Sequence, residues 1–254
     1  MSRSFLNDPM LEIPRGNVAG QTSINKFGAN PVIAVNTTED VWDGGGTYSF
    51  PTSATITHIR QATDQVGTDA NATIEVQGLD VNWALVTQTA DLDGTDTTTE
   101  VVLGTALLRV FRMKVLENIV LADDIWVGAT GMGAATAKAI VQAGNNQTLM
   151  AIYTVPAGKT AYMTCYYADN VPTATRHPDS VEFNLWVADR ANTYEFQLKH
   201  QRAVPEKAPG FSQCFNPYLK ITEKSDIKIS ASVVGGANED GQPRAGFDLI
   251  LVDN

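Results

Sequence analysis

Apolar and polar residues alternate at period two along most of this chain, the signature of strands with one buried face. The first clear run is Ala54-Thr55-Ile56-Thr57-His58-Ile59. Further strands are predicted over 72–79, 83–92, 97–103, 106–115, 123–127 and 136–141. Seven more follow over 149–155, 160–167, 180–187, 193–200, 217–222, 226–234 and 246–252. Turn signals separate them, among them Gly44-Gly45-Gly46, Asp80-Val81-Asn82, Pro156-Ala157-Gly158 and Gly235-Gly236. Asp93-Gly94 predicts a type I′ hairpin within residues 91–95. No amphipathic helix is predicted, beyond one short turn near Thr87 or Gly104. Strand starts spaced by roughly 8–15 residues favour sandwiches or jelly rolls, so the expected class is all-β.

The pattern is written twice. Tyr48-Ser49-Phe50-Pro51 and the strand after it answer Tyr153-Thr154-Val155-Pro156 and the strand after that, about 105 positions on. Thr73-Ile74-Glu75-Val76 answers Ser180-Val181-Glu182-Phe183, and the text around Asp124-Ile125 answers that around Asp226-Ile227. A period this long predicts duplicated domains: two tandem jelly-roll or β-sandwich domains, 37–143 and 144–254. Residues 1–36 are expected to be an extended N-terminal arm. Pro9, Pro14 and Pro31 interrupt any helix there, yet Phe5, Leu11, Ile13, Ile24 and Phe27 give it apolar contacts to offer. The arm either drapes over a neighbouring subunit or packs on its own domain.

Charge narrows the partners. The formal net charge of −10 argues against nonspecific nucleic-acid binding, which depends on Lys and Arg at phosphates. No run of about 18 apolar residues is present, so no membrane span is expected. The first residues lack an apolar signal core, which predicts synthesis in a cytoplasm and release by lysis or within an assembly. Two cysteines, Cys165 and Cys214, make no disulfide framework. Cys165 lies in an alternating pattern and reads as a buried thiol; whether it meets Cys214 is open.

Candidate chemistry is sparse. Asp91, Asp93, Asp96 and Glu100 resemble a shortened calcium loop, but the EF-hand order needs a third acid before the glycine, and the turn explains the same residues. Asp123-Asp124 and Asp226 recur before strands, which suits turn carboxylates better than an acid/base pair. His58, His177 and His200 have no ligand spacing. Neither a catalytic residue, a metal nor a cofactor is predicted. Arg109, Arg112 and Lys114 form a basic cluster on one strand, either a solvated face or a docking contact. Trp42, Trp83, Trp126, Trp186, Tyr166 and Tyr167 fit core or interface positions, with a sugar platform as the alternative.

Four segments carry a family resemblance. They are Gly20-Gln21-Thr22-Ser23-Ile24-Asn25-Lys26-Phe27-Gly28-Ala29-Asn30, Glu39-Asp40-Val41-Trp42-Asp43-Gly44-Gly45-Gly46-Thr47-Tyr48, Gly78-Leu79-Asp80-Val81-Asn82-Trp83, and residues 146–161. The chain from about residue 16 resembles a family of tailed-bacteriophage virion proteins. That resemblance implies a β-rich structural component of the particle, with no enzymatic activity. The favoured form is a jelly-roll capsid cement (decoration) protein, a homotrimer that binds the major capsid protein, with Phe5, Leu11, Ile13, Ile24, Phe27, Arg109 and Arg112 as its contact residues. Other virion forms are a tail or head–tail component (adaptor or fibre base) or a double jelly-roll capsid protein; from a different class, a carbohydrate- or receptor-binding module would use the aromatics.

Overall fold

In the computed structural model, residues 8–171, 177–191, 194–236 and 239–254 are described. The chain begins with a turn of helix, α1 (Pro9–Glu12), in which Asp8 accepts the Met10 amide and Pro9 takes the first helical position, where its missing N–H costs nothing. Two strands follow, β1 (Gln21–Ala29) and β2 (Thr38–Asp40). Next come β3 (Ile56–Gln61), a second helical turn α2 (Val66–Asp69), β4 (Thr73–Leu79), β5 (Leu85–Asp91), β6 (Val101–Leu107), β7 (Arg109–Val115), β8 (Ile125–Gly128) and β9 (Ala139–Val141). The last group is β10 (Ile152–Thr154), β11 (Lys159–Asn170), β12 (Ser180–Ala188), β13 (Phe196–Pro205), β14 (Phe211–Ile221), β15 (Asp226–Val234) and β16 (Pro243–Asp253). The protein is all-β, as the alternation predicts.

The two sandwiches are nested. One sheet of the larger runs β1-β16-β11-β14, and the other runs β10-β15-β12-β13. β2 shares the β15 edge with β10: β2 pairs with Ser230 to Ser232, and β10 with Asp226 to Lys228. Together they fill one strand position that the chain leaves and later resumes. Counted that way, the sheets run 1-8-3-6 and 2-7-4-5, the strand succession of a jelly roll. The smaller sandwich, of sheets β6-β3-β8-β9 and β5-β4-β7, is inserted between β2 and β10.

This corrects the expected boundaries. Residues 21–29 are not an arm: β1 pairs along its whole length with β16, from Gln21 opposite Val252 to Ala29 opposite Arg244. Each N-terminal strand belongs to the sandwich built mainly from the C-terminal half, so the domains are not tandem. The reason is burial. Ile24, Lys26 and Gly28 fall on the inward phase of β1, and Ile24 packs on the larger core.

The repeat is real in topology, but one of its text pairs is misplaced. The succession β3-β4-β5-β6-β7-β8 occupies the same sheet places as β11-β12-β13-β14-β15-β16. The matches of β3 with β11 and of β4 with β12 hold, although Tyr153 lies in a strand and Tyr48 does not. β7, however, corresponds to β15 and β8 to β16, so Asp124-Ile125 and Asp226-Ile227 are not equivalent. The Asp93-Gly94 hairpin is also corrected. β5 and β6 lie in different sheets, and Gly94 lacks the positive φ that a type I′ turn demands. Asp93 instead accepts the amides of Thr95 and Asp96, holding a crossing loop. The helical turns fall at α1 and α2, away from Thr87 and Gly104.

Each sandwich has its own core, and the larger core takes Leu79 and Phe111 from the smaller one. Phe111 sits against Tyr153 with ring centroids 4.7 Å apart. Cys165 and Cys214 lie directly opposite on β11 and β14 and form a disulfide, so Cys165 is not a free thiol.

Candidate functional site: the cleft between the sandwiches

The seam is built where the inserted sandwich leaves and returns. Val41 donates its amide to Ile229 and accepts that of Ala151, while Trp42 bridges to Met150. The β4–β5 turn reaches across the same seam: Asp80 accepts the amides of Asn82 and Ala84, which holds Trp83 at a φ of 64°, and the Trp83 carbonyl accepts the Ala157 amide.

Beside this turn lies a cleft of about 360 Å³ bordered by both sandwiches. Its floor is an ion pair. Arg109 donates from Nε to Asp226 Oδ1 at 3.0 Å and from Nη2 to Oδ2 at 2.8 Å, with both side chains almost fully buried. Asp226 also accepts hydrogen bonds from Thr154 and Tyr194, and Arg109 donates to the carbonyls of Pro51 and Leu108. Burial pulls the Arg109 pKa down, but the hydrogen bonds and charge of Asp226 outweigh it and hold the guanidinium above its ordinary value. The walls are Phe50, Trp83, Tyr194 and Phe196. Arg109 stacks 4.9 Å from the Trp83 ring and 5.3 Å from that of Phe50. Arg190 lies 4.1 Å from the Tyr194 ring and 5.0 Å from Trp83.

A second cluster sits deeper in the seam. Lys26 is fully enclosed and donates to the Phe111 carbonyl of the inserted sandwich. Burial, assisted by the charge of Arg112, lowers its pKa to about 7. Asp43, on the exit from the larger sandwich, is raised to about 8, first by burial and then by Asp124. Its Oδ2 accepts the Leu149 amide, whereas Oδ1 has no hydrogen-bond partner among the described residues. A protonated Asp43 fits that environment.

The expected contact residues are not brought together. Phe5 lies outside the described residues. Leu11 is exposed on α1, while Ile13 two residues on is buried. Ile24 faces the larger core, and Phe27 stands on the opposite face of β1, 37% exposed. The basic cluster also divides. Arg109 is buried in the cleft floor, Arg112 is half-buried beside Lys26, and Lys114 pairs with Glu75 at 3.0 Å. Arg109 is therefore neither a solvated residue nor a surface docking contact.

Asp91 is exposed on β5, and the other acidic candidates are occupied by local structure. Asp93 and Asp96 bond to their own turns, and Glu100 accepts from Thr130 and Gly131. Asp123 holds Thr63 and the Asp124 amide, and Asp124 holds the Ala143 amide. His58 contacts Thr57, His177 lies about 4 Å from Glu206 and Glu239, and His200 bonds Tyr166. Of the six aromatic candidates, Trp42 and Tyr166 are core residues, Trp186 donates to Ser230, and Trp83 alone is among the residues lining the cleft.

Arg190, Tyr194 and the Lys26–Asp43 cluster are absent from the sequence reading. Lys26 left a trace: in Ile24-x-Lys26-x-Gly28 it holds the inward phase of a strand. Arg190 and Tyr194 left none, because the cleft they line exists only once the sandwiches are nested.

No family model matches the chain, and no curated protein does. Among solved structures it is similar to infectious bursal disease virus VP2 in a subviral particle, with a TM-score of 0.23 and 8% identity, covering 92% of this chain and 72% of that one. Structures of the Gt and Gx strains of that virus give TM-scores of 0.23 and 0.21 at 11% and 9% identity, covering 92% and 94% of this chain and 71% and 74% of theirs. Scores at this level establish neither kinship nor role. Among the described residues, no helix is long and apolar enough to cross a membrane.

Proposed function

We propose that the protein is a structural component of a virus particle, a β-rich block that presses against other protein subunits and carries out no reaction. The favoured form is a capsid cement protein, a homotrimer clamping the major capsid protein of a tailed bacteriophage. The observation that carries this reading is where the family-like segments fall. Residues 20–30 form β1, 39–48 form β2 and the exit into the insertion, 78–83 form the turn bearing Trp83, and 146–161 form the return. All four meet at the seam: Ala29 bonds Leu149, Val41 bonds Ala151, and Trp83 bonds Ala157. What resembles the virion family is thus the apparatus that fixes one sandwich against the other.

Two further features support it. A cross-strand disulfide suits a protein that works outside a reducing cytosol, virion surfaces included. β13 and β14, ten and eleven residues long, are the outer strands of their sheets and are largely exposed along one side of the larger sandwich. Unpaired strand edges are surfaces on which protein contacts form.

The test is copy number with binding. The purified protein is expected to be a trimer by light scattering, to bind capsid shells prepared without it, and to occur in hundreds of copies per particle. A few copies at one vertex would assign it to the head–tail connection. No binding to such shells, together with absence from purified particles, would sink the virion reading altogether.

A further inference from the structure

The cleft between the sandwiches has the dimensions and chemistry of a ligand site. Its volume of about 360 Å³ lies within the roughly 300–1,000 Å³ usual for small-molecule pockets. Four aromatic rings, Phe50, Trp83, Tyr194 and Phe196, line it beside two arginines and one acid. Asp226 is engaged from both oxygens by Arg109 and further by Thr154 and Tyr194, so that pair is internally neutral. Asp189, next to Arg190 in the chain, is not among the lining residues of the cleft and accepts from Thr222, Ser225 and the Ala191 amide. Arg190 lies against the rings of Tyr194 and Trp83 and forms no ion pair among the described residues. Rings that cover the faces of a guanidinium leave the N–H donors on its edge, the fork that matches a carboxylate.

We propose that this cleft binds a small monocarboxylate whose body is a single six-membered ring, with the carboxylate on Arg190 and the ring against the aromatic wall of Phe50 and Phe196. Arg190 is the lining cation without an ion-pair partner among the described residues, and its fork matches one carboxylate; the rest of the ligand then faces rings, where a second charge would lose water without gaining a partner. A single six-membered ring fits within this volume. Two sources share this chemistry: a carboxylated sugar at a glycan terminus, and a free apolar ring acid. The inference does not depend on the virion reading, because it concerns a pocket internal to one chain.

Isothermal titration of the full chain with glucuronate and with cyclohexanecarboxylate tests it, with glucose and cyclohexanol as neutral counterparts. At least one acid is expected to bind with Kd on the order of 1 mM or tighter, and its neutral counterpart at least tenfold more weakly. Tighter glucuronate identifies the sugar-acid source; tighter cyclohexanecarboxylate identifies the apolar acid. Arg190→Ala should weaken binding at least tenfold, the size expected for a charge-assisted hydrogen bond. Arg190→Lys, which keeps the charge but not the fork, should fall between the two. Arg190 is exposed, so both variants should melt as the parent does. Saturation by neither acid, equal binding of acid and neutral compound, or a loss below tenfold in a folded Arg190→Ala overturns the proposal.

Discussion

Arg109 opens β7 and Asp226 opens β15, strands that hold the same place in the two sandwiches, and their side chains meet in a two-pronged ion pair across the seam. Desolvating two charges largely cancels their attraction, so the net stability gained from such a pair is small. Its effect is on geometry. Two planar groups that must meet edge to edge allow one relative placement of the sandwiches, which a greasy contact would not enforce so narrowly.

Removing one partner is a different matter from lacking both. Arg109→Met strands a buried carboxylate, and the expected loss is about 3–5 kcal/mol, read by urea denaturation. The double variant Arg109→Met with Asp226→Leu should recover much of that loss, because no charge is left buried. If the double variant is no more stable than the single one, the pair is contributing more than charge compensation.

The Lys26–Asp43 cluster makes stability depend on pH in two opposed windows. Asp43 has a folded pKa of about 8, above its unfolded value, so the folded state holds the extra proton and stability falls as pH rises from about 4 to 8. Lys26 has a folded pKa of about 7, below its unfolded value, so the unfolded state holds the extra proton and stability rises from pH 7 towards 10. Asp43→Asn should erase the falling limb, a difference from the parent of at most roughly 1.4 kcal/mol per pH unit. Lys26→Met should erase the rising limb. Melting curves of both variants between pH 5 and 9.5 decide it; parallel curves for parent and variants would refute the assignment.

Period-two alternation made the strands and the all-β class legible, because it reports burial on one face and nothing more. Nesting was not legible, because residues 21–29 pair with a strand more than two hundred positions away and their text is broken by Lys26 and Gly28. Both exceptions have causes in the seam: Lys26 reaches the Phe111 carbonyl, and Gly28 lets backbones cross. Arg109 was legible as a notable cation but not as a buried one, since its partner lies 117 residues on. The repeat was found by text, but text slid one strand where Asp-Ile recurs by chance at β8 and β15. Topology, not spelling, sets equivalence there. The cleft belongs to neither sandwich alone, so no local pattern encodes it.

The disulfide ties β11 to β14 across 49 residues. In the chain-entropy view, a loop of that length stabilises the folded state by about 4 kcal/mol, and measured values commonly fall below this. The pair Cys165→Ser with Cys214→Ser should lower stability by about 2–4 kcal/mol in urea. Because β14 is an outer strand held on one side by β11, the loss should appear as early exchange of β14 amides. Uniform loss of protection across both sandwiches would show instead that the bond stabilises the molecule globally.

Gly28 marks the point where the insertion is tightest. A methyl group there would press into the backbone of Val41, where the chain leaves the larger sandwich, and of Ala151, where it returns. Those two residues hydrogen-bond to each other, and neither is a side chain that can rotate away. Accommodating Gly28→Ala therefore means parting β1 from the seam, at an expected cost of about 3 kcal/mol, the upper end of ordinary overpacking. Gly104→Ala is the matched control: it too lies in a strand, but it is exposed and its added methyl meets only the far end of Gln88, at 3.5 Å. That change should stay within about 0.5 kcal/mol. Urea denaturation of the two variants compares a backbone crossing with an open site. Equal stabilities would mean that the crossing is loose and that the nested arrangement is held elsewhere.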